Sequence, residues 1–317
     1  MSDTRTVDFL IVGTGAAGVS AAIYAASSGK TVMLCEKAAK IGGTTALSNA
    51  MIWVPCSDHA KEKGVDDSIE QARTYLRGEL GNFYDAKKID AYLERGPEAI
   101  RKIEEVSEIK FALAGAPDYH SSREGGLDNG RALSPIPYDG RLLGPDFNLI
   151  GDPIRVVLGG MMITSSEIKH FLNPLKSVTA MRHVLRRVFR YAMDRLKYAR
   201  GTELSGGNAF LAAALISLRE QGVDILTECP MSELIIEDGR VAGAVLARSG
   251  KPIRVYARDG VILATGGFAA SAALRAEIGA IHPHDVTLCA PSVQGDGITA
   301  GRKVGAAVDQ NVSSPGF

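Results

Sequence analysis

The chain has 317 residues with 36 Lys plus Arg against 36 Asp plus Glu, a balance that argues against a nucleic-acid partner held by net charge. Apolar residues make up 45% and charged residues 23%, an ordinary globular composition, and no apolar run reaches the ~18 residues of a membrane span. Cysteines 35, 56, 229 and 289 show no CxxC or Cys/His spacing, which predicts reduced thiols in a cytoplasmic protein, with no metal and no disulfide.

A polar stretch, MSDTRTVD, leads straight into the apolar run 8–12 (DFLIV), so no leader peptide is expected; Gly13 ends the run, the pattern of a strand buried on both faces. A helix over 16–28 with Gly29 behind it and a second buried strand over 31–35 complete a β-α-β unit. Helical periodicity with mixed charge recurs at 67–77 and 86–106. Residues 119–152, rich in Gly, Pro and Asp, are predicted to be a long loop, and loops of that length usually carry function. Over 169–200 nine Lys or Arg stand against one acid, Asp194. Met181, Val184, Leu185, Val188 and Ala192 recur there at helical spacing, with Arg182, Arg186, Arg187 and Arg190 mainly elsewhere on the surface. A solvated helix face is the plain reading; peripheral contact with an anionic membrane is the alternative. A helix over 208–221 and short strands over 223–226, 233–236, 241–247 and 252–257 follow, with an Asp238-Gly239 hairpin turn. A buried strand over 261–264 then runs into Thr265-Gly266-Gly267. His170, His183, His282 and His284 show no ligand spacing and read as structural.

The motif with chemistry is Gly13-Thr14-Gly15-Ala16-Ala17-Gly18, set between a buried strand and a helix, with Glu36 at the end of the next strand, 21 residues after Gly15. In that arrangement helix N-terminal amides hold a pyrophosphate and the acid accepts from ribose hydroxyls. The spacing alone does not choose between NAD and FAD. Residues 37–49 (KAAKIGGTTALSN) then bring a second glycine pair, Gly42-Gly43, where a nicotinamide domain would have its crossover helix. Glycines so placed point to a backbone lying along an extended cofactor, FAD, with Thr44, Thr45 and Ser48 hydroxyls in reach of it.

These motifs, with Glu36-Lys37, Gly43-Thr44-Thr45-Ala46-Leu47-Ser48, Met51-Ile52-Trp53-Val54-Pro55, Pro117-Asp118-Tyr119, Gly130-Arg131-Ala132-Leu133, Ala264-Thr265-Gly266-Gly267 and Gly295-Asp296-Gly297, make the sequence resemble flavoprotein subunits of the fumarate reductase and succinate dehydrogenase type. Within that family the likeness is to 3-ketosteroid Δ1-dehydrogenases. It implies an α/β fold: a Rossmann-type FAD-binding domain over 1–280, its parallel sheet carrying a β-hairpin or meander insertion, then the start of an α+β catalytic cap domain over 281–317. It implies that Gly13, Gly15, Ala16, Ala17, Gly18 and Glu36, with Lys37, bind the ADP part. Gly43, Thr44, Thr45 and Ser48 would run along pyrophosphate and flavin, and Met231 would edge the adenine. Thr265, Gly266 and Gly267 would close on the cofactor, and Asp296 with Gly295 and Gly297 would pack near the flavin. Relatives that attach FAD covalently use a His near the threonines; residues 44–51 contain none, which implies non-covalent FAD.

Tyr119 is the residue that the resemblance connects with steroid chemistry. There a C–H next to a ketone loses a proton to one tyrosine, and the neighbouring C–H gives hydride to flavin N5. A phenol of pKa ~10 is a poor base at neutral pH unless a neighbour stabilises its phenolate, and Tyr119 matches the tyrosine that does so. His120 stands where relatives often have another Tyr, and Val293-Gln294 where they often have Asn-Thr. Relatives are considerably longer, so the base tyrosine, the donors to the ketone and a glycine-rich flavin segment are expected beyond Phe317, on a second chain. The function expected is dehydrogenation of a hydrophobic, steroid-like ketone. The alternatives are a non-catalytic FAD-binding module and a fumarate-reductase-like enzyme acting on a small unsaturated acid.

Overall fold

A computed structural model describes residues 3–154, 159–278 and 286–308. Strand β1 (Asp3–Val12), helix α1 (Ala16–Ser27) and strand β2 (Val32–Cys35) form the expected β-α-β unit, with β1 and β2 parallel. After β2 the chain leaves the sheet through α2 (Gly43–Leu47), β3 (Ile52–Trp53), α3 (Asp58–Glu62), α4 (Ile69–Leu80) and α5 (Ala86–Val106). The excursion continues through β4 (Phe111–Leu113), β5 (Ala132–Pro135), β6 (Tyr138–Asp139), α6 (Ser165–Leu172), α7 (Val178–Asp194) and β7 (Glu203–Leu204). Short polar side chains start its longer helices: Ser68, Asp85 and Ser177 each accept the backbone N–H three residues on, from Gln71, Lys88 and Ala180. The chain returns in α8 (Gly206–Glu220), which packs beside α1, and enters β8 (Asp224–Leu226). Strands β9 (Met231–Glu237), β10 (Arg240–Arg248) and β11 (Lys251–Leu263) follow, then α9 (Ala272–Ile278) and α10 (Asp296–Lys303).

The main sheet has the order β8-β2-β1-β11-β10-β9. Its first four strands are parallel, and β9 and β10 add the antiparallel meander that the Asp238-Gly239 turn announced. Side chains of β1 alternate between two cores: Ile11 packs with α1 and α8, and Leu10 and Val12 pack with Cys35, Leu226, Ala244 and Val255.

Three expectations change. The strands expected at 252–257 and 261–264 are one strand, β11, whose register against β1 slips between Val7 and Phe9; Gly260, at φ 145°, takes up the extra residue. That long partner also draws the polar residues before 8–12 into β1. The loop over 119–152 contains β5, β6 and a 3-10 stretch over Gly140–Leu149. Strand β5 forms there because fully buried Leu133 faces the core while its backbone pairs with β3 and β4. The stretch 169–200 holds α7, whose Arg182 and Arg186 are solvated as the plain reading expects, while Arg187 and Asp194 turn inward and Leu185, Val188 and Phe189 are exposed beside the solvated arginines. The boundary expected at 280 falls on 279–285, outside the described residues, as do His282, His284 and 309–317. No described helix is long and apolar enough to cross a membrane, and the described residues contain no cluster of three metal-binding side chains.

Candidate cofactor site

The parallel strands β1, β2 and β11 end at one edge of the sheet, and there the chain turns through Gly13, Glu36 and Ala264 in turn. This is the edge at which open α/β sheets receive ligands. Space for it comes from missing side chains. A Cβ on Gly13 would lie 2.3 Å from the Ala264 carbonyl oxygen, and one on Gly18 would lie 1.9 Å from that of Gly13, so both glycines are needed to bring the turn against β11. Gly15 differs: a Cβ there would meet Thr45 Oγ1 at 3.6 Å and the Gly42 carbonyl oxygen at 4.0 Å, both ordinary contacts, and Gly15 lines the cleft.

The cleft encloses about 560 Å³ and is lined by residues 13–17, Glu36, 42–45, 263–267, Ala269, Cys289, Ser292 and Val293. Beyond Gly13 and Thr265 it adjoins a space of about 90 Å³ bounded by Lys37, Met231 and Asp296. A further space of about 330 Å³ lies past Met231 and Asp296. Together these make one elongated groove, the shape that a dinucleotide requires.

Thr14 ties the groove together. Fully buried, its hydroxyl donates to Glu36 Oε2 (2.5 Å) and accepts from the Gly42 backbone N–H (3.0 Å). Glu36 also accepts the backbone N–H of Thr14 (3.2 Å) on Oε2 and that of Ala38 (3.0 Å) on Oε1. Three donors leave a carboxylate with lone-pair capacity for a ribose hydroxyl, and Glu36 does line the cleft. Thr45 Oγ1 accepts the Ala16 N–H (2.9 Å), so its own proton stays available at the start of α1, whose first turn carries no acid. Thr44 Oγ1 accepts the Ala290 N–H (3.1 Å), bringing 289–293 over the threonine loop.

Other expected site residues fall differently. Ser48 is exposed and serves its own turn, donating to the Thr45 carbonyl and accepting from Ala50 N–H, both at 3.0 Å. Asp296 pairs with Lys37 and bounds the small spaces with Met231, whereas Thr44 and Thr45 line the main cleft. Gly297 N–H donates to Thr265 Oγ1 (3.0 Å) and Gly295 N–H to the Gly267 carbonyl (3.0 Å), so the two glycine motifs support each other. Gly266 and Gly267 line the cleft; Gly18 packs behind it. Tyr119 is 86% exposed and outside the groove lining.

Tyr119 follows Asp118, part of a buried ion network. Arg131, fully buried, donates to Asp67 (2.6 and 3.1 Å) and to Asp118 (2.8 Å), and Asp118 also accepts from Trp53 Nε1 (2.6 Å) and the Leu127 backbone N–H (3.0 Å). Three of the motifs that carry the resemblance, IWVP, PDY and GRAL, thus meet at one point. Sequence reasoning passed over Thr14 and Asp67. Thr14 occupies a wildcard of the glycine motif, and its partners lie 22 and 28 residues away.

Fold and groove define a class, the two-dinucleotide flavin-binding proteins. The groove fits FAD on the chain's own evidence: an open Gly15, the start of α1 with no acid in its first turn, and an acid with capacity left. A family profile described as "FAD binding domain" matches residues 8–314, so the chain belongs to that family and binds FAD. The chain is 36% identical over 310 residues to the 3-oxosteroid 1-dehydrogenase of Mycolicibacterium smegmatis, covering 95% of this chain and 54% of that protein. It is 35% identical to the 4-oxocyclohex-2-ene-1-carboxylate 5-dehydrogenase of Sinomonas cyclohexanicum, over 99% of this chain and 54% of that one. A crystal structure of the 3-ketosteroid Δ1-dehydrogenase from Sterolibacterium denitrificans, in complex with 1,4-androstadiene-3,17-dione, superposes with a TM-score of 0.86 at 29% identity, covering 96% of this chain and 55% of that one. The chain spans about half the length of the curated relatives it matches.

Proposed function

We propose that the chain is the FAD-binding part of a dehydrogenase that oxidises a cyclic ketone, a 3-ketosteroid-like molecule in the first instance. The observation that supports this reading is the conjunction of the elongated groove with the Trp53–Asp118–Arg131 network, which ties the PDY segment to the IWVP and GRAL segments. FAD bound here supplies the two-electron acceptor. The chain's own part is to hold it without a covalent bond: α1 amides and Thr45 at the pyrophosphate, Glu36 at a ribose, and 264–267 against its length. Lys37 and Met231 bound the adenine end of the groove, with Asp296 and its flanking glycines packing from α10.

Tyr119 acts as the phenol that stabilises a base tyrosine lying outside residues 1–317. Its high exposure accords with a residue that a cap domain, starting near 281, covers. That remaining half is supplied by further polypeptide or a second chain. The protein works in the cytoplasm, in peripheral contact with a membrane through 169–200.

A second reading deserves equal testing, because the cyclohexene-carboxylate dehydrogenase matches almost as well as the steroid enzyme: the substrate is a small cyclic keto acid. Anaerobic titration of the FAD-loaded protein, together with its complementing half, against a 3-ketosteroid and against 4-oxocyclohex-2-ene-1-carboxylate separates the two. Bleaching by the steroid supports the first reading and bleaching by the acid supports the second; FAD retained and reduced by neither ends both. Tyr119→Phe should slow reduction without releasing FAD, and FAD loss instead would make Tyr119 a structural residue.

A further inference from the structure

The α6–α7 hairpin is turned inside out. On α7 the buried positions are Ala180, Arg187 and Asp194, and the polar two are engaged inward. Arg187 pairs with Glu167 (3.0 Å) and with Glu203, and Asp194 accepts the Thr202 backbone N–H (2.8 Å) and hydroxyl (2.7 Å). Arg190 reaches Asp139 (3.0 Å) and His183 reaches Glu167 (2.9 Å). The side chains that face outward are the ones a surface helix normally buries. Leu172, Val178 and Leu185 are exposed, with Leu175 at 87%, Phe189 at 69% and Leu196 at 79%.

Exposed cations stand among them: Lys169, Lys176, Arg182, Arg186, Arg195 and Lys197. From 168 to 200 the one acid is Asp194, which is buried. An apolar face alone would accept many partners, and the charge narrows the choice. A second copy of the same face would set these cations against each other. An anionic bilayer meets both demands, since leucine and phenylalanine enter the acyl boundary while guanidinium and ammonium groups reach the phosphates. At 8 and 17 residues and with this charge, the helices are suited to lying in the interface plane.

We propose that the α6–α7 hairpin is an in-plane docking face for an anionic bilayer. The proposal rests on the peripheral reading of 169–200 given above and deepens it by naming the face, the lipid charge and the depth-setting residues. It asks nothing of the flavin chemistry, so either can fail alone. The inward ion pairs tie α7 to Asp139, Glu167 and Glu203, and a delivery surface of this kind suits an enzyme whose ketone substrate partitions into membranes.

The test is co-sedimentation of the purified chain, alone and together with its complementing half, with vesicles of phosphatidylcholine alone and of phosphatidylcholine with phosphatidylglycerol. Binding by the lone chain that the complementing half abolishes assigns the face to that half and overturns the proposal. The anionic vesicles should bind the chain at least about tenfold more strongly, and added salt should weaken the difference. The outward pair Leu185→Glu/Phe189→Glu should lower binding at least about tenfold, as should Arg182→Gln/Arg186→Gln. Phe189→Trp, with Trp53→Phe to silence the native indole, should show a blue-shifted emission on anionic vesicles only. Equal sedimentation of wild type and Leu185→Glu/Phe189→Glu overturns the face while sparing peripheral binding. No binding to any vesicle overturns both, and a wild-type dimer that those glutamates dissociate, without vesicle binding, assigns the face to a second copy.

Discussion

At the residue scale the three glycines of the first motif do different work, and substitution separates them. Gly18→Ala drives a methyl into the Gly13 carbonyl, so it should cost about 1–3 kcal/mol in urea denaturation and weaken FAD binding as a consequence. Gly15→Ala meets nothing closer than 3.6 Å, so stability should hold while FAD affinity falls; unchanged affinity would remove the pyrophosphate from the start of α1. Thr14→Val keeps shape but removes the hydroxyl between Glu36 and Gly42, leaving the buried Gly42 N–H unpaired and Glu36 with two donors in place of three. The expected cost is about 1–3 kcal/mol, read as a lowered denaturation midpoint, with a weaker FAD complex. The glycines were legible because their spacing is short and periodic. Thr14 was not, because its role depends on loops brought to it by the sheet.

At the element scale the ion pairs decide how segments sit. Arg131 neutralises two buried carboxylates, so Arg131→Met should cost about 3–5 kcal/mol and loosen the PDY segment, measured by denaturation and by amide exchange over 114–131. Glu167 anchors α6 to α7. Burial works against its ionised form, but the Thr164 backbone N–H and then Arg187 outweigh burial and hold its carboxyl below the ordinary value. A folded value below the unfolded one means stabilisation that is complete above the unfolded carboxylate pKa of ~4.3 and is lost as pH falls through the folded value. Protection factors of the amides over 165–194, exchange rates relative to those of the unstructured chain at the same pH, should therefore fall on acidification below that range, ahead of those of the sheet. The helices themselves were readable from periodicity and caps. The direction that α7 faces was not, because a 3.6-residue period marks an apolar stripe without saying whether it turns into the core or away from it.

At the scale of the whole molecule, a long excursion interrupts one β-α-β unit between β2 and α8 and leaves a groove along the strand ends. Cys289 lines that groove, whereas burial raises the thiol pKa of Cys35 and of Cys229 above the ordinary value. Alkylation near pH 8 followed by mass spectrometry should mark Cys289 well before Cys35 and Cys229, and saturating FAD should slow the Cys289 reaction. Labelling of Cys289 that ignores FAD would place the cofactor elsewhere. By itself the sequence determined the β-α-β unit, the meander, the dinucleotide motif and the family, since each is written in local periodicity or short spacing. Only the tertiary structure decided that Thr14 is the tie between three loops and that Asp296 stands with Lys37 and Met231. It alone showed that Ser48 serves its own turn and that α7 faces outward. Those facts depend on contacts between residues far apart in the chain, which a pattern along one dimension does not contain.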